Sequence, residues 1–479
     1  MANIQKLPFN TTLKKSVVIA LGLTLISGSY LGLASAHATQ AAQVKAAAAV
    51  DLRFPGKVAP DAKREKSVTV TVETHLNDYT HLDACSPENW QSTGLYAAPG
   101  ETITLSLADH IPGLKVQIGS HRDQLEDIPP KERLRAPIIT VEKDLKKGEN
   151  KISNPYGGLI YIIPTEINVP KASTKITIKN AIKAPNYVLG VTSEKEWLQW
   201  AANPKVPMAE LISKKVILTV PSQYLKDVKD PKKLMETWDQ IVDLENKLAG
   251  LNPGQAFPHR APQEPWRYVA DIQISWGYMY AGYPIMLYDD PCIKDLLSVQ
   301  GLKTNGWGFY HELGHNQQQS KWTPEALVEV SCNIFSLYIQ EFYGNPSALL
   351  DDNADTGQSS FKDAIQFVTS DRQDKNFMDE SQVHIFTRLV MFWQLKETYG
   401  WNVYPELFKS MRNLPLNSDI EPSEQEKLEL MVKQLCKITG DDLTPFFEHW
   451  GIKLSPATKA YLQSLSLKPL KDKIWLLSQ

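Results

Sequence analysis

His311 and His315 stand four residues apart in "GFYHELGHNQQQ", with Glu312 between them. On a helix, side chains at i and i+4 share one face about one turn apart. Both imidazoles can then reach a single zinc ion. Glu312 lies beside the first histidine, where it can take a proton from a water and pass it to a leaving amine without binding the metal. This is the H-E-x-x-H arrangement of metallopeptidases, in which the ion activates water and polarises the scissile carbonyl. The bland alternative is a solvated His-Glu-His face on a surface helix.

A zinc held by two histidines needs a third protein ligand. The spacing H-E-x-x-H-x-x-G-x-x-H would place glycine at 318 and histidine at 321, but Gln318 and Lys321 stand there. A carboxylate from the next helix is the other solution, as in His₂Glu sites. "KWTPEALVEVSCNIFSLYIQEFYG" reads as that helix, with Thr323 able to cap it, Pro324 suited to its first turn and Gly344 just past its end. Glu325 and Glu329 lie one turn apart and compete. Glu329 has the better claim, because it leaves more chain for the helix to turn back. Its i+4 neighbour Asn333 can also accept a hydrogen bond from a liganding imidazole. Glu325 suits the helix N-terminus electrostatically. A structural zinc normally has four protein ligands, and Cys332 is the one cysteine nearby. An open fourth position is the better reading, giving one Zn²⁺ on His311, His315 and Glu329.

The elements that must carry this centre change character along the chain. From Ser67 to Lys183, "SVTVTVETH", "ETITLSLAD", "LKVQIGS", "APIITVEK", "GLIYIIPTE" and "TKITIKNAI" are short, β-branched and largely alternating. Turn residues such as "APGE", "KKGEN" and "NPYGG" separate them, which predicts a β-sandwich over 67–184. Beyond it "KKVILTVPS" still reads as a strand. In "PKKLMETWDQIVDLENKLAGL", Leu234, Trp238, Ile241, Leu244 and Leu248 recur at helical steps. "HIFTRLVMFWQLKETYG" and "QEKLELMVKQLCKITG" also read as helices. The expectation is an α+β multidomain chain with a mainly helical catalytic domain over 185–479.

The first residues read as an address. Lys6, Lys14 and Lys15 precede the apolar "SVVIALGLTLISG", and "ASAHA" offers small residues for cleavage, so 1–38 reads as a signal peptide. A retained anchor is the alternative, since Ser16 to Ala34 is almost long enough to span a membrane. No other stretch is apolar enough, so no stable span is expected after cleavage, and the mature protein is expected to be secreted or periplasmic. Residues 39–66, Ala-rich and then charged, read as a linker or loosely packed lead-in. A formal charge of -3 on 479 residues, with no basic stripe, argues against a nucleic-acid partner. In an oxidising compartment Cys85, Cys292, Cys332 and Cys436 can form disulfides or remain buried thiols; their spacing does not choose.

The motif and its surroundings resemble one family. "HELGHNQQ" followed by "EVSCNIFSLY" is similar to the enhancin-type gluzincin zinc metallopeptidases. "TGLYAAPGETITLSL", "VQIGSH", "NPYGGLIYI", "DIQISWGYMYAGYPIM", "MFWQLKETYGW" and "DLTPFFEHWG" extend the likeness over roughly Ser67 to Leu465. The resemblance implies a secreted endopeptidase acting on glycoproteins, especially O-glycosylated mucins. It implies His311, His315 and Glu329 as ligands and Glu312 as the base, and a Gly314 that lets the following segment pack close. Carbohydrate-binding modules that the family often carries are not evident here. Gluzincins line the cleft with an edge strand near the active helix, and "GYMYAGYPIM" precedes that helix. Tyr278, Tyr280 and Tyr283 are therefore candidate substrate contacts, with core packing as the competing role for each. His384 and Tyr280 are weak candidates to stabilise an oxyanion, and His384 reads better as structural. The competing function is a glycan- or protein-binding adhesin on the same fold with a non-catalytic metal site.

Overall fold

The computed structural model describes residues 54–167, 169–353, 355–414 and 422–479. The expected signal peptide and the first part of the lead-in, residues 39–53, lie outside the described residues.

The alternating segments form a sandwich of two antiparallel sheets. One orders β1 (Val68–Glu73), β8 (Ser173–Lys179), β3 (Ile103–Leu107) and β6 (Gly148–Ile152). The other orders β5 (Val141–Asp144), β4 (Leu114–Ile118), β7 (Gly158–Pro164), β2 (Gln91–Ala97) and β9 (Ile182–Lys183). Two of these strands have no alternating signature in the sequence. In β2 the register shifts between Ser92 and Tyr96, around Gly94 at φ +69°. In β6 the sequence is "GENKI", a charged edge strand. The lead-in is not loose from Phe54 onward. Ala62 is buried, Arg64 bridges to Ile182, and its Nε donates to Glu101 at 3.0 Å.

Val72, Leu105, Val116, Ile118, Ile160, Ile162, Ile176 and Ile178 fill the space between the two sheets. The outer face of the second sheet is also covered. All seven residues of β7, "GLIYIIP", are buried, and Leu159, Tyr161 and Ile163 join the core of the following domain. An uninterrupted apolar run is what a strand buried on both faces requires. Arg267 sits over the Tyr161 ring, 4.7 Å from its centroid, at this junction.

The second domain opens on a six-stranded mixed sheet. Its order is β10 (Asn186–Val188), β11 (Met208–Ile212), β12 (Val216–Pro221), β13 (Trp266–Asp271), β15 (Ile285–Tyr288) and β14 (Met279–Tyr280). α1 (Glu194–Ala202) connects β10 to β11. α2 (Pro231–Leu248) crosses from β12 to its parallel neighbour β13 and buries Leu234, Trp238, Ile241 and Leu248. Two short helices, α3 (Cys292–Leu296) and α4 (Val299–Asn305), lead into α5 (Trp307–Asn316). Then come α6 (Val328–Phe342), α7 (Ser360–Thr369), α8 (Ile385–Tyr399), α9 (Val403–Arg412), α10 (Glu424–Thr439), α11 (Thr444–His449) and α12 (Pro456–Ser464). The fold is thus an α+β arrangement, a β-sandwich followed by a mainly helical domain with a sheet at its start.

The segment expected as one helix from Thr323 to Gly344 is built differently at its start. A 3₁₀ turn, Glu325–Leu327, precedes α6, and Leu327 is the N-cap with no side-chain hydrogen bond. Thr323 does not cap the helix; its Oγ1 is buried without a hydrogen-bond partner. At the other end Gly344, at φ +74°, follows the last turn. None of Cys85, Cys292, Cys332 and Cys436 is in a disulfide, and Cys332 and Cys436 are buried thiols. Among the described residues, no helix is long and apolar enough to cross a membrane.

Candidate metal centre

α5 is amphipathic in an unusual sense. Phe309, Tyr310, Leu313 and Gly314 face the core, and His311 and His315 share the opposite side. The helix packs closely on α6 because residue 314 has no side chain. A Cβ there would stand 2.7 Å from the Cys332 carbonyl oxygen, so only glycine lets the two backbones meet at this point. That approach brings Glu329, in the first turn of α6, to the histidines. Glu325 is exposed at the start of the 3₁₀ turn, where its backbone N–H bonds the Glu424 carboxylate.

Three atoms converge. His311 Nε2 and His315 Nε2 are 3.0 Å apart, and Glu329 Oε2 lies 3.2 Å from the first and 3.5 Å from the second. Atoms so spaced lie on a circle of about 1.9 Å radius. A point roughly 2.1 Å from all three therefore exists about 1 Å off their plane, which is the zinc–nitrogen and zinc–oxygen distance of a tetrahedral site.

The outward sides of both rings are already spoken for. His311 Nδ1 is 2.8 Å from Asn333 Oδ1, and the Asn333 amide donates to Glu329 O at 2.8 Å, so Oδ1 must accept. His315 Nδ1 is 3.0 Å from Gln318 Oε1, and the Gln318 amide donates to Val328 O and Ser331 Oγ. Both imidazoles therefore carry their proton on Nδ1 and turn Nε2 lone pairs inward, towards a carboxylate. Three acceptors face one another with no donor between them, and such an arrangement needs a cation or a proton at its centre. Without a metal the proton serves. Burial disfavours charge on both rings, yet Cys332 and Glu329 push His311 above the ordinary histidine range, and Glu329 lifts His315 to about 9. Burial works against the Glu329 carboxylate, but the two rings hold it far below the usual range. The donor set and its orientation fit zinc.

The centre is open on one side. The two histidine side chains are 13% exposed and that of Glu329 is 45% exposed. The buried Cys332 Sγ lies 3.4 Å from His311 Nδ1 and 3.9 Å from Nε2, within 4.8 Å of the other donor atoms. Glu312 is 8% exposed. Burial raises its carboxyl, against the pull of the two histidines and a hydrogen bond from the Ala281 backbone.

The edge strand β14 runs beside α5. Past it, Gly282 N–H donates to Asn316 Oδ1 at 3.0 Å, and the Asn316 amide returns a bond to Gly282 O at 3.1 Å. The structure separates the three candidate tyrosines. Tyr283 packs as a core residue, its ring edge-on to Trp90 at 5.6 Å and buried. Tyr278 and Tyr280 are half-buried. Tyr278 donates to Asp290 at 2.7 Å, and the Tyr280 hydroxyl bonds Asp123. The exposed aromatic of the stretch is Trp276, at 48%. His384 caps α8, its Nδ1 accepting from Phe386 N–H at 3.3 Å. Sequence reasoning did not single out Gln318 as the partner of His315. The available signal was its position three residues on, at the turn that ends the helix.

A β-sandwich joined to a mixed-sheet and helical domain, with a His-Glu-x-x-His helix met by a glutamate from the next helix, defines a metallopeptidase-type fold. Residues 180–451 match the profile of peptidase M60, enhancin and enhancin-like, and residues 60–179 match the N-terminal domain of M60-like peptidases. The chain belongs to the M60 family of enhancin-like peptidases, a family whose chemistry implies a bound metal. It is 35% identical to TRPM8 channel-associated factor 2 of Bos taurus over 390 residues, 80% of this chain and 40% of that protein. The chain thus spans about two fifths of the length of the curated relatives it matches.

Among solved structures, a functionally unknown conserved protein from Bacillus anthracis superposes with a TM-score of 0.73 at 26% identity, covering 86% of this chain and 82% of that one. The ZmpB metallopeptidase from Clostridium perfringens gives 0.68 at 20% identity, covering 86% and 83%. The M60 catalytic domain of Clostridium perfringens ZmpC, solved in complex with the sialyl T antigen, gives 0.64 at 20%, covering 86% and 82%. The last two likenesses establish a shared fold.

Proposed function

We propose that the chain is an exported zinc endopeptidase that hydrolyses peptide bonds in glycoproteins, with O-glycosylated, mucin-type substrates as its targets. The observation that carries the reading is the convergence of two inward-facing Nε2 lone pairs and a carboxylate on an open-sided point, with the buried Glu312 carboxyl on the same helix. His311, His315 and Glu329 would hold one Zn²⁺, with Asn333 and Gln318 orienting the rings. When bound, the ion would supply Lewis-acid polarisation of the scissile carbonyl and activation of water. Glu312 takes the water's proton on its carboxylate and delivers it to the leaving amine; a carboxyl raised by burial holds that proton more readily than a solvated one. The free edge of β14 offers main-chain groups to an extended substrate.

The glycan part of the reading rests on three supports: the leader-like residues 1–38, the ZmpC structure solved with a sialyl T antigen, and Trp276 standing exposed three residues before β14. An aromatic face stacks on the apolar face of a sugar while the sugar's hydroxyls stay hydrogen-bonded. The division into a sandwich over 67–184 and a catalytic domain over 185–479, following a 1–38 signal peptide, belongs to the same proposal, as does a secreted or periplasmic location.

A second reading is a binding protein on this fold whose metal does no chemistry. It is favoured by the names of the curated relatives, which refer to association with a channel. The experiment that separates the two takes zinc content together with cleavage of a matched peptide pair, one carrying N-acetylgalactosamine on a threonine and one bare, with and without chelator. We expect one zinc per chain and chelator-sensitive cleavage of the glycosylated peptide. Equal cleavage of both peptides removes the glycan preference. Stoichiometric zinc with no cleavage of either peptide or of a mucin preparation favours the binding protein.

A further inference from the structure

A carboxylate of the β-sandwich grips the turn that leads into β14. Asp123 lies in the connection between β4 and β5 and is 8% exposed. Its Oδ2 accepts the Ser275 backbone N–H at 2.5 Å, and its carboxylate also bonds the hydroxyls of Ser275 and Tyr280. One side chain therefore holds both ends of the Ser275–Tyr280 turn, which carries Trp276 and finishes as β14.

Asp123 is itself held in place. Arg135 Nη2 donates to Asp123 O at 3.0 Å, and the same guanidinium grips Asp271, the last residue of β13, at 2.6 Å and 2.9 Å. Both side chains of that pair have no exposure. Two more bonds join the same loop to the same strand end. Leu134 N–H donates to Gln273 Oε1 at 2.6 Å, and the Gln273 amide donates to Glu132 O at 3.0 Å.

β14 cannot fix its own position. It pairs with β15 through two residues only, Met279 opposite Leu287 and Tyr280 opposite Met286, and so short a ladder contributes little order by itself. Just before it, the Tyr278 hydroxyl donates to Asp290 at 2.7 Å and Tyr278 O accepts from Tyr288 N–H at 3.4 Å; beyond these are the anchors at its two ends. Towards the active helix these are the Ala281 backbone bond to Glu312 and the paired bonds between Gly282 and Asn316. Towards the sandwich the anchor is Asp123.

We propose that Asp123 is a positioning residue contributed by the β-sandwich, which sets the separation between β14 and α5 and so holds the edge of β14 where a peptide backbone can pair with it. The proposal deepens the peptidase reading above and rests on it for its kinetic consequence, though not for its structural one. On this view the sandwich is a wall of the cleft rather than a separate module, and its 120–137 loop is part of the substrate-aligning apparatus.

The test compares the zinc-loaded full chain with Asp123→Ala, Asp123→Asn and Tyr280→Phe. The readouts are zinc content, amide hydrogen exchange across Ser275–Gly282, and kcat and KM on the peptide the wild type cleaves. Edge pairing is felt equally by substrate and transition state, so its loss raises KM and spares kcat. We expect Asp123→Ala to keep its zinc, to exchange faster at Met279–Gly282, and to raise KM roughly 10-fold with kcat within about a factor of two. Asp123→Asn retains an acceptor oxygen and should recover part of both effects; Tyr280→Phe should move both readouts the same way by less. Unchanged exchange and unchanged KM in Asp123→Ala overturn the proposal. So does a fall in kcat at constant KM. If Asp123→Ala fails to fold, Tyr280→Phe decides on the same readouts, since it deletes one hydroxyl. If the wild type cleaves no peptide, the peptidase reading falls, and the exchange comparison alone still decides whether Asp123 holds the strand.

Discussion

Asn333 Oδ1 lies 2.8 Å from His311 Nδ1, and the same asparagine's amide is tied to the backbone carbonyl of Glu329, one turn earlier on α6. One side chain therefore couples two donors of the centre. It turns the His311 ring so that Nε2 faces inward, and it does so from a helix position fixed relative to Glu329. Gln318 does the same for His315 from the turn between the helices.

The roles within this centre separate by metal content. Glu329→Ala should empty the site, while Glu325→Ala, exposed at the start of the 3₁₀ turn, should leave zinc in place. Asn333→Ala and Gln318→Ala remove the groups that orient the rings and should each weaken zinc roughly 10- to 100-fold. Competition with a chelator of known affinity measures all four. Loss of zinc from Glu325→Ala, with Glu329→Ala still loaded, would reverse the assignment.

Glu312→Gln should behave in the opposite way. Its carboxyl is not among the groups placed to hold a metal, which are those of His311, His315, Glu329 and Cys332, so zinc should stay. Turnover should fall by about 10²- to 10⁴-fold, the usual worth of a positioned proton acceptor. Metal analysis and kinetics on one preparation check both halves; an active variant removes Glu312 from the mechanism.

Gly314→Ala tests the contact between the two helices. A Cβ 2.7 Å from the Cys332 carbonyl forces α5 and α6 apart, at a cost of roughly 1–3 kcal/mol for overpacking. Because Glu329 rides on α6, zinc affinity should fall along with the melting temperature. A stable variant with unchanged zinc affinity would show that the helices tolerate separation.

Glu245 on α2 has no exposure, and neither of its oxygens has a hydrogen-bond partner. Burial pushes its carboxyl well above the ordinary glutamate value. The folded state thus binds the proton more tightly than the unfolded chain does. This contribution to stability is complete below the unfolded value near 4.5 and is lost as pH rises towards the folded one. Glu245→Gln, neutral at every pH, should therefore gain on the wild type by about 1.4 kcal/mol per pH unit across that interval. Denaturant unfolding at pH 5, 6.5 and 8 reads the gap; a gap that does not change with pH would mean the carboxyl is ionised in the fold.

Short-range regularities were legible in the sequence. The four-residue step from His311 to His315 is set by helix geometry, and no tertiary contact is needed to put both rings on one face. Alternation marked β1, β3, β4 and β8, a β-branched apolar run marked β7, and the three- and four-residue recurrence in α2 marked its buried face. Even Glu329 and Asn333 were reachable, because a helix that turns back must present residues four apart together. What tertiary structure alone decided are the relationships that sequence distance hides. Tyr283 looked equivalent to Tyr278 and Tyr280 in "GYMYAGY", yet it is buried against Trp90, a strand-end residue of the other domain. Thr323 looked like a cap, and a 3₁₀ turn intervened. Gln318 took the histidine that its own turn folds back upon. Asp123 meets Ser275 across a sequence separation of 152 residues. Periodicity reports only the face a residue turns within its own element. What that face meets depends on how elements pack, and packing is settled by the shape and burial of the whole chain at once.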